Sequence, residues 1–184
     1  MTEFYTRALV LDREDIGETD VIASLFTETH GKVLVRAKSS RKAASKSASY
    51  LQPLRFIQVR FVTPKKNTTT GYILMDALWD TNIPNVTVET KAALLPIARA
   101  LGELAPENQP DNRIWSLWET VFQNPRHIPS AARVLLQLLG YYTDRKTCDV
   151  CKKNSAKYFI ARKEMFACDS CASQIQENEI KLKV

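Results

Sequence analysis

Apolar and polar residues alternate along roughly the first eighty positions, and the spacing turns helical beyond them. Tyr5 to Asp12 has the β-branched and apolar content of a strand, and Asp15-Ile-Gly-Glu18 signals a turn. Asp20 to Thr27 reads as a second strand, closed into a hairpin by His30-Gly31. Lys32 to Ala37 sets Val33 and Val35 against Leu34 and Arg36 and makes a third. Leu54 to Val62 reads as a fourth strand with one break in its alternation, Pro64-Lys-Lys-Asn67 as a turn, and Thr69 to Leu78 as a fifth strand. Lys38 to Tyr50 has no apolar period and reads as a long loop with room for a short helix. Five strands and one long loop suit a small barrel of the OB type. An SH3-like barrel fits the pattern almost as well.

The middle of the chain is helical. Val88 to Leu104 places Ala92, Leu95, Ala98 and Leu101 at helical spacing, and Pro96 requires a kink or a split. Asp111 is a good N-cap for a helix in which Ile114, Leu117, Trp118, Val121 and Phe122 share a face. Trp115 and Trp118 fall within that helix and read as packing residues, not as a platform for bases. Pro129 suits a first helical position, and the helix through Ala132 to Leu139 stops at Gly140. Near the C-terminus, Lys157 to Ile160 and Met165 to Ala167 flank Arg162-Lys-Glu164 as a β-hairpin. The expected architecture is α+β in three parts. A five-stranded OB-fold barrel spans residues 1–80, a helical domain 81–146, and a four-cysteine module with a short tail 147–184.

Charge adds a direction to this outline. The chain of 184 residues has a net charge of +6. From Thr29 to Met75 there are ten Lys or Arg residues and no Asp or Glu, whereas the first 28 residues hold two basic and seven acidic ones. The excess positive charge therefore belongs to one stretch of the barrel. A solvated loop is the plain alternative, but forty-seven residues without a carboxylate point to a polyanionic partner. OB-folds hold strands along a face flanked by loops, with cations for phosphates and aromatic rings for stacking. Lys32, Arg36, Lys38, Arg41, Lys42 and Lys46 are expected to line the phosphate path, with Arg55, Arg60, Lys65 and Lys66 extending it. Phosphate contacts carry no sequence information, so binding should be nearly independent of sequence. Phe56, Phe61 and Tyr72 offer rings for stacking, although Phe56 and Phe61 read as barrel core.

Several classes of function are disfavoured. The sequence has neither a G-x-x-x-x-G-K-[ST] nor a G-x-G-x-x-G nucleotide loop. His30 and His127 read as turn and loop residues, and Asp12, Glu14, Asp15, Glu18 and Asp20 as a solvated acidic turn. No active site emerges, and the chain is not expected to be an enzyme. No apolar run approaches the roughly 20 residues of a membrane helix, and the first residues lack a secretory pattern. A cytoplasmic protein without a membrane partner is expected.

Cys148, Cys151, Cys168 and Cys171 form C-x2-C, sixteen residues, C-x2-C. Tetrahedral zinc takes four thiolates at about 2.3 Å, and each C-x2-C knuckle brings two sulfurs to one side of the ion. A hairpin between the knuckles delivers the second to the first. Two disulfides would need an oxidising compartment, a redox C-x-x-C is normally single, and an iron–sulfur cluster is a third alternative. The spacing favours one structural zinc ion, with all four positions filled by Cys and none left open for catalysis.

These residues together resemble the bacterial RecO family. The stretches that carry the resemblance are "ALVLDREDIGETDVIASLFTETHGKVLVRAKSSRK" (Ala8 to Lys42), "LQPLRFIQVRF" (Leu51 to Phe61), "RVLLQLLGYYTDRKTCDVC" (Arg133 to Cys151) and "CDSC" (Cys168 to Cys171). They run in the family's order over most of the chain. The resemblance implies an OB-fold, a helical middle and, as in many members, a four-cysteine zinc module. It implies a DNA repair and recombination mediator that binds single- and double-stranded DNA and anneals complementary strands. The implied partners are RecR and single-strand-binding protein, with which such proteins help load RecA, and the implied location is the nucleoid. Two departures stand out. Ser39-Ser40 follow Ala37-Lys38 where the family usually has Gly, and thirteen residues follow Cys171 where members commonly continue into further helices. Those helices contribute to contact with single-strand-binding protein in some relatives, so the chain reads as a short member in which that partner is the least secured. Two other readings remain at this level: an RNA-binding factor built from an OB-fold and a zinc ribbon, and a protein-interaction adaptor with incidental DNA contact.

Overall fold

The computed structural model describes residues 2–40, 47–64, 71–141, 147–153, 155–176 and 178–184. Five strands close into a barrel: β1 (Glu3–Ile16), β2 (Asp20–Thr27), β3 (Gly31–Ala37), β4 (Phe56–Val62) and β5 (Tyr72–Trp79), in the spatial order β1-β2-β3-β5-β4. A four-residue helix, α1 (Ser47–Tyr50), lies between β3 and β4. The strand β3 runs parallel to β5 through Val35–Tyr72 and Arg36–Ile73, and every other pair is antiparallel. This crossover and closure give the OB topology rather than the SH3-like alternative.

β1 is longer than the sequence pattern suggests because it serves two neighbours. Its first half, Glu3 to Leu9, pairs with β4, and its second half, Ala8 to Ile16, pairs with β2. Four consecutive residues, Ala8 to Leu11, are fully buried, which a half-exposed strand would not show. The reason is a second layer. Ala8 and Val10 point into the barrel with Leu25, Val33, Ile57 and Phe61. Leu9 and Leu11 point outwards with Phe26 and Phe56 and are covered by helices. Phe56 is therefore buried as expected but outside the barrel, edge-on to Trp115 and Phe122 at centroid distances of 5.5 and 4.9 Å.

The helices are α2 (Val88–Leu104), α3 (Asn112–Gln123) and α4 (Ile128–Leu138), the last preceded by a 3₁₀ turn at Pro125–His127. Thr87 caps α2 through its hydroxyl, and Asp111 caps α3 by accepting from the Arg113 N–H at 2.8 Å. α2 runs unbroken through Pro96; the carbonyl that loses its partner belongs to Ala92, an exposed residue. The expected apolar face of α2 is rotated. Leu94, Ile97, Ala98, Ala100 and Leu101 are buried, while Ala92 is exposed and Leu95 only partly covered. The helix meets the barrel on one side and α4 on another, so its contact stripe is wider than one heptad seam. On α3, Trp115 and Trp118 are buried with Ile114, Val121 and Phe122, as packing residues should be.

The C-terminal part is a three-stranded sheet in the order β7-β6-β8, from β6 (Tyr158–Ile160), β7 (Met165–Ala167) and β8 (Lys181–Lys183), with the short helix α5 (Asp169–Ser173) after β7. β8 has no local pattern of its own and is formed by pairing with β6. Phe159, Phe166 and Leu182 join the same apolar cluster as Leu9, Leu101 and Trp118, so one core runs from the barrel wall through the helices to this sheet.

A buried ion pair joins barrel to helices. Arg7 on β1 donates through Nε to Asp80 at 2.7 Å and meets Glu119 of α3 at 2.7 Å, with its guanidinium 5.3 Å from the Trp115 ring centroid. The Asp80 side chain has no exposed surface. Burial pushes its carboxyl up, but the Arg7 hydrogen bond and the Asn82 N–H outweigh this and hold it below the ordinary value.

The first residue of β3 also meets the helical part. Gly31 has φ 66°, and a Cβ there would lie 2.0 Å from the Gln109 carbonyl oxygen. The loop after α2 lies along the free start of β3, where the Asn108 N–H donates to the Lys32 carbonyl at 2.9 Å. Gly31→Ala is expected to destabilise the chain by about 2 kcal/mol or more, combining a left-handed φ with a backbone clash. Urea denaturation of the two proteins measures it.

Candidate metal centre and nucleic-acid interface

The β6–β7 hairpin brings the two cysteine knuckles together. All four Sγ atoms lie within 4.8 Å of one another, and Cys151 and Cys168 are 3.9 Å apart. Four thiolates at about 2.3 Å from one tetrahedral ion stand roughly 3.8 Å from each other, whereas a disulfide needs about 2.05 Å. The cysteines are free thiols. Cys148 and Cys168 are buried, and Cys151 and Cys171 are partly covered.

The knuckles are held by main-chain bonds. Lys152, with φ 59°, donates its N–H to the Cys148 carbonyl at 3.0 Å, and Ala172 does the same to Cys168 at 2.8 Å. Asp149 ties the first knuckle to β7: its N–H donates to the Phe166 carbonyl, and its carboxylate accepts the Phe166 N–H, both at 2.8 Å. The N–H of Cys151 draws the Cys148 thiol below its ordinary value against burial, and the N–H groups of Cys168 and Val150 assist. Burial pushes the Cys171 thiol up to about 12, and hydrogen bonds shared with the other three sulfurs add to it. Four neighbouring thiolates need a compensating cation, and these residues fit a single divalent ion bound by sulfur alone.

Of the expected phosphate-path residues, the structure describes Lys32, Arg36, Lys38, Arg55 and Arg60. Arg41, Lys42, Lys46, Lys65 and Lys66 lie outside the described residues. Lys32 is directed to the helices, where its Nζ donates to the Gly102 carbonyl at 3.1 Å. Arg36 pairs with Asp20 on the neighbouring strand at 2.7 Å. The Ser39 N–H and then Arg36 hold the Asp20 carboxyl below its ordinary value. Ser39, at the position where glycine was expected, has φ 53° and donates its N–H to Asp20 at 2.8 Å. Lys38, next to it, is exposed. On the other side of β5, Arg60 pairs with Glu3 at 3.0 Å. Arg55 donates to the Asn85 side-chain oxygen and stacks on Trp79, 4.7 Å from its centroid.

Of the rings, Phe61 is buried in the barrel, and Tyr72 packs on it while donating its hydroxyl to Asn108 at 2.8 Å. Two aromatic residues that the pattern did not single out are more accessible. Trp79 is 39% exposed at the last position of β5, and Tyr50 of α1 meets it edge-on at 4.8 Å. Their only sequence signal was an aromatic at an element end, which apolar alternation does not separate from core. Among the described residues, no helix is long and apolar enough to cross a membrane.

Residues 1–74 match a family model described as Recombination protein O N terminal, a span that covers the barrel up to the middle of β5. The similarity to whole proteins extends further. The DNA repair protein RecO of Thermodesulfovibrio yellowstonii is 28% identical over 192 residues, covering 98% of this chain and 75% of that protein. The DNA repair protein RecO of a Thermoanaerobacter species is 28% identical over 182 residues, covering 92% and 71%. A local match to the DNA repair protein RecO of Salinibacter ruber reaches 45% identity over 56 residues, 30% of this chain and 22% of that one.

Proposed function

We propose that the chain is a RecO-type protein with a role in DNA repair and recombination, a non-catalytic mediator that binds DNA and anneals complementary single strands. In this reading it acts with RecR on strands coated by single-strand-binding protein and helps load RecA, in the cytoplasm at the nucleoid. The observation that carries it is the OB barrel at the N-terminus, in the span that matches the family, with ten cations and no carboxylate between Thr29 and Met75.

The mechanism is charge neutralisation. Two phosphate chains repel, and a basic surface that screens both lets base pairing proceed. Arg36 and Lys38 lead from β3 into the stretch holding Arg41, Lys42 and Lys46, where successive cations suit a phosphate backbone. Lys32, Arg55, Arg60, Lys65 and Lys66 complete the proposed set, with Lys32 turned towards the helices as its tether. The four cysteines hold one structural zinc ion that fixes the C-terminal sheet. Residues 1–80 act as the DNA-binding domain, 81–146 as the helical domain and 147–184 as the zinc module. The shared core supports their working as one body.

Neutralising six phosphates predicts a log–log salt slope of roughly −4 on single strands. Arg41→Glu with Lys42→Glu is expected to abolish binding of a labelled oligonucleotide while leaving the melting temperature unchanged. Equal affinity of this variant and the parent would remove the loop from the interface. Annealing of coated complementary strands, with and without RecR across a salt series, tests the wider reading. Salt-sensitive acceleration supports it. A folded, metal-loaded protein that gives none would be an adaptor, and one preferring RNA to DNA of equal length would be an RNA-binding factor.

A further inference from the structure

A cleft of about 560 Å³ opens where β4 begins and β5 ends, away from the β3 end of the barrel. Its walls include Arg55, Trp79, Thr81 and Asn85, and the loop beyond them enters the N-terminus of α2. The size is within the range of sites that take small ligands. Its charge is unusual for a resting surface. Arg55 has five N–H donors. One is spent on Asn85, and its Nε is buried without a partner among the described residues. Among the described residues Arg55 makes no ion pair. Burial, and then the Arg55 charge, lower the Lys91 ammonium in the first turn of α2 below its ordinary value. The N-terminus of a 17-residue helix adds positive potential.

The nearby carboxylates are already engaged. Asp80, in the cleft wall, is bound by Arg7 at 2.7 Å and by the Asn82 N–H at 3.1 Å. Glu89 is turned to its own N–H and to Thr87 at the helix cap.

The cleft also has a flat apolar wall. Trp79 is 39% exposed, with the Arg55 guanidinium 4.7 Å from its centroid and Tyr50 edge-on at 4.8 Å. Tyr50 ends α1 and follows the basic stretch in the sequence, four residues after Lys46. An anion alone would need only the cations. An indole beside a guanidinium with unspent N–H donors suits a ligand that carries a phosphate and a ring together.

We propose that this cleft seats one nucleotide unit of a bound single strand, its phosphate on Arg55 beside the N-terminus of α2 and its base against Trp79. The inference rests on the DNA-binding reading and adds a fixed stacking site, at a residue that the basic stretch does not include. Sequence tolerance is retained, because every base has a face to stack.

Trp79 offers a selective signal, since Trp115 and Trp118 are 3% and 2% exposed. The test uses the full metal-loaded chain and a dodecamer of thymidine, read by tryptophan emission and by anisotropy of a labelled copy. Emission should be quenched on binding, and Trp79→Phe should remove the quench while near-ultraviolet dichroism shows an intact fold. Trp79→Ala should weaken binding about 5- to 150-fold, the range for one stacked base. Arg55→Gln should flatten the salt slope by roughly 0.7. Binding with unchanged emission and a Trp79→Ala affinity equal to the parent would overturn the inference and leave the DNA reading standing. Absence of binding by either signal would overturn both. Quenching by a polyglutamate peptide and not by the oligonucleotide would overturn it in favour of an acidic protein partner.

Discussion

Stripping the metal from the four-cysteine site, by chelation or by Cys148→Ser, is expected to open the C-terminal sheet and weaken the rest of the chain with it. The parent should carry one zinc ion per chain. A structural zinc site of this kind supplies on the order of 10–16 kcal/mol to folding, and β6, β7 and β8 are three residues each, far too short to stand alone. Without the ion, four sulfurs within 4.8 Å have no shared ligand, and Cys148 and Cys168 remain buried. The Asp149 bonds to Phe166 then have no anchored knuckle behind them. The effect does not stop at the sheet, because Phe159, Phe166 and Leu182 belong to the core that reaches Leu9 and Trp118. Limited trypsin digestion should cut first between Lys152 and Lys163 in the stripped protein, with a lower melting temperature for the fragment that remains. A metal-free chain with the parent's digestion pattern would sink the structural role.

Arg7→Ala should be the most damaging single substitution outside the metal site, at about 3–5 kcal/mol, because it leaves a buried carboxylate without its counter-charge. Asp80 has no exposed side-chain surface, and its other bond, to the Asn82 N–H at 3.1 Å, does not neutralise it. Asp80→Asn should be milder, since Arg7 keeps Glu119 at 2.7 Å and Glu28 at 3.8 Å. The pH dependence separates the pair from simple loss of packing. In the parent, the Asp80 carboxyl is held below its unfolded value. Its contribution is therefore present above about pH 4 and is lost as pH falls through the folded pKa. In Arg7→Ala burial, the largest influence on this carboxyl, is opposed only by the Asn82 hydrogen bonds, and the pKa is expected to rise above the unfolded one. The neutral acid is then tolerated, and the variant's deficit should shrink as pH falls from 7 towards 4. Urea denaturation of both proteins at pH 7 and pH 5 measures the difference. A deficit that is independent of pH, or below 1 kcal/mol at pH 7, would show that Arg7 acts only as a packing residue.

The C-x2-C pairs were readable as one cluster because spacing and a local hairpin suffice to bring the sulfurs together. The interface was less readable. Arg36, Lys38, Arg55 and Arg60 were named from charge alone, and charge does not say which way a side chain turns. Lys32 shows the limit: it opens the stretch without carboxylates, but its Nζ donates to the Gly102 carbonyl, seventy residues away. Trp79 was not singled out, because it ends a strand, and only its approach to Arg55 makes it a wall of the cleft.

What the sequence by itself determined is what local chemistry governs: the five barrel strands from a two-residue period, the α3 cap from the Asp111 side chain, the helix entry at Pro129 and the sulfur cluster. The tertiary structure decided the rest. Closure of β1 on β4, the parallel β3–β5 contact, the rotated face of α2, the recruitment of β8 and the Arg7–Asp80 joint all depend on groups far apart in the chain. The physical reason is that a period or a cap is satisfied within a few residues, whereas burial on two faces and the pairing of charges require a partner that only the folded chain supplies.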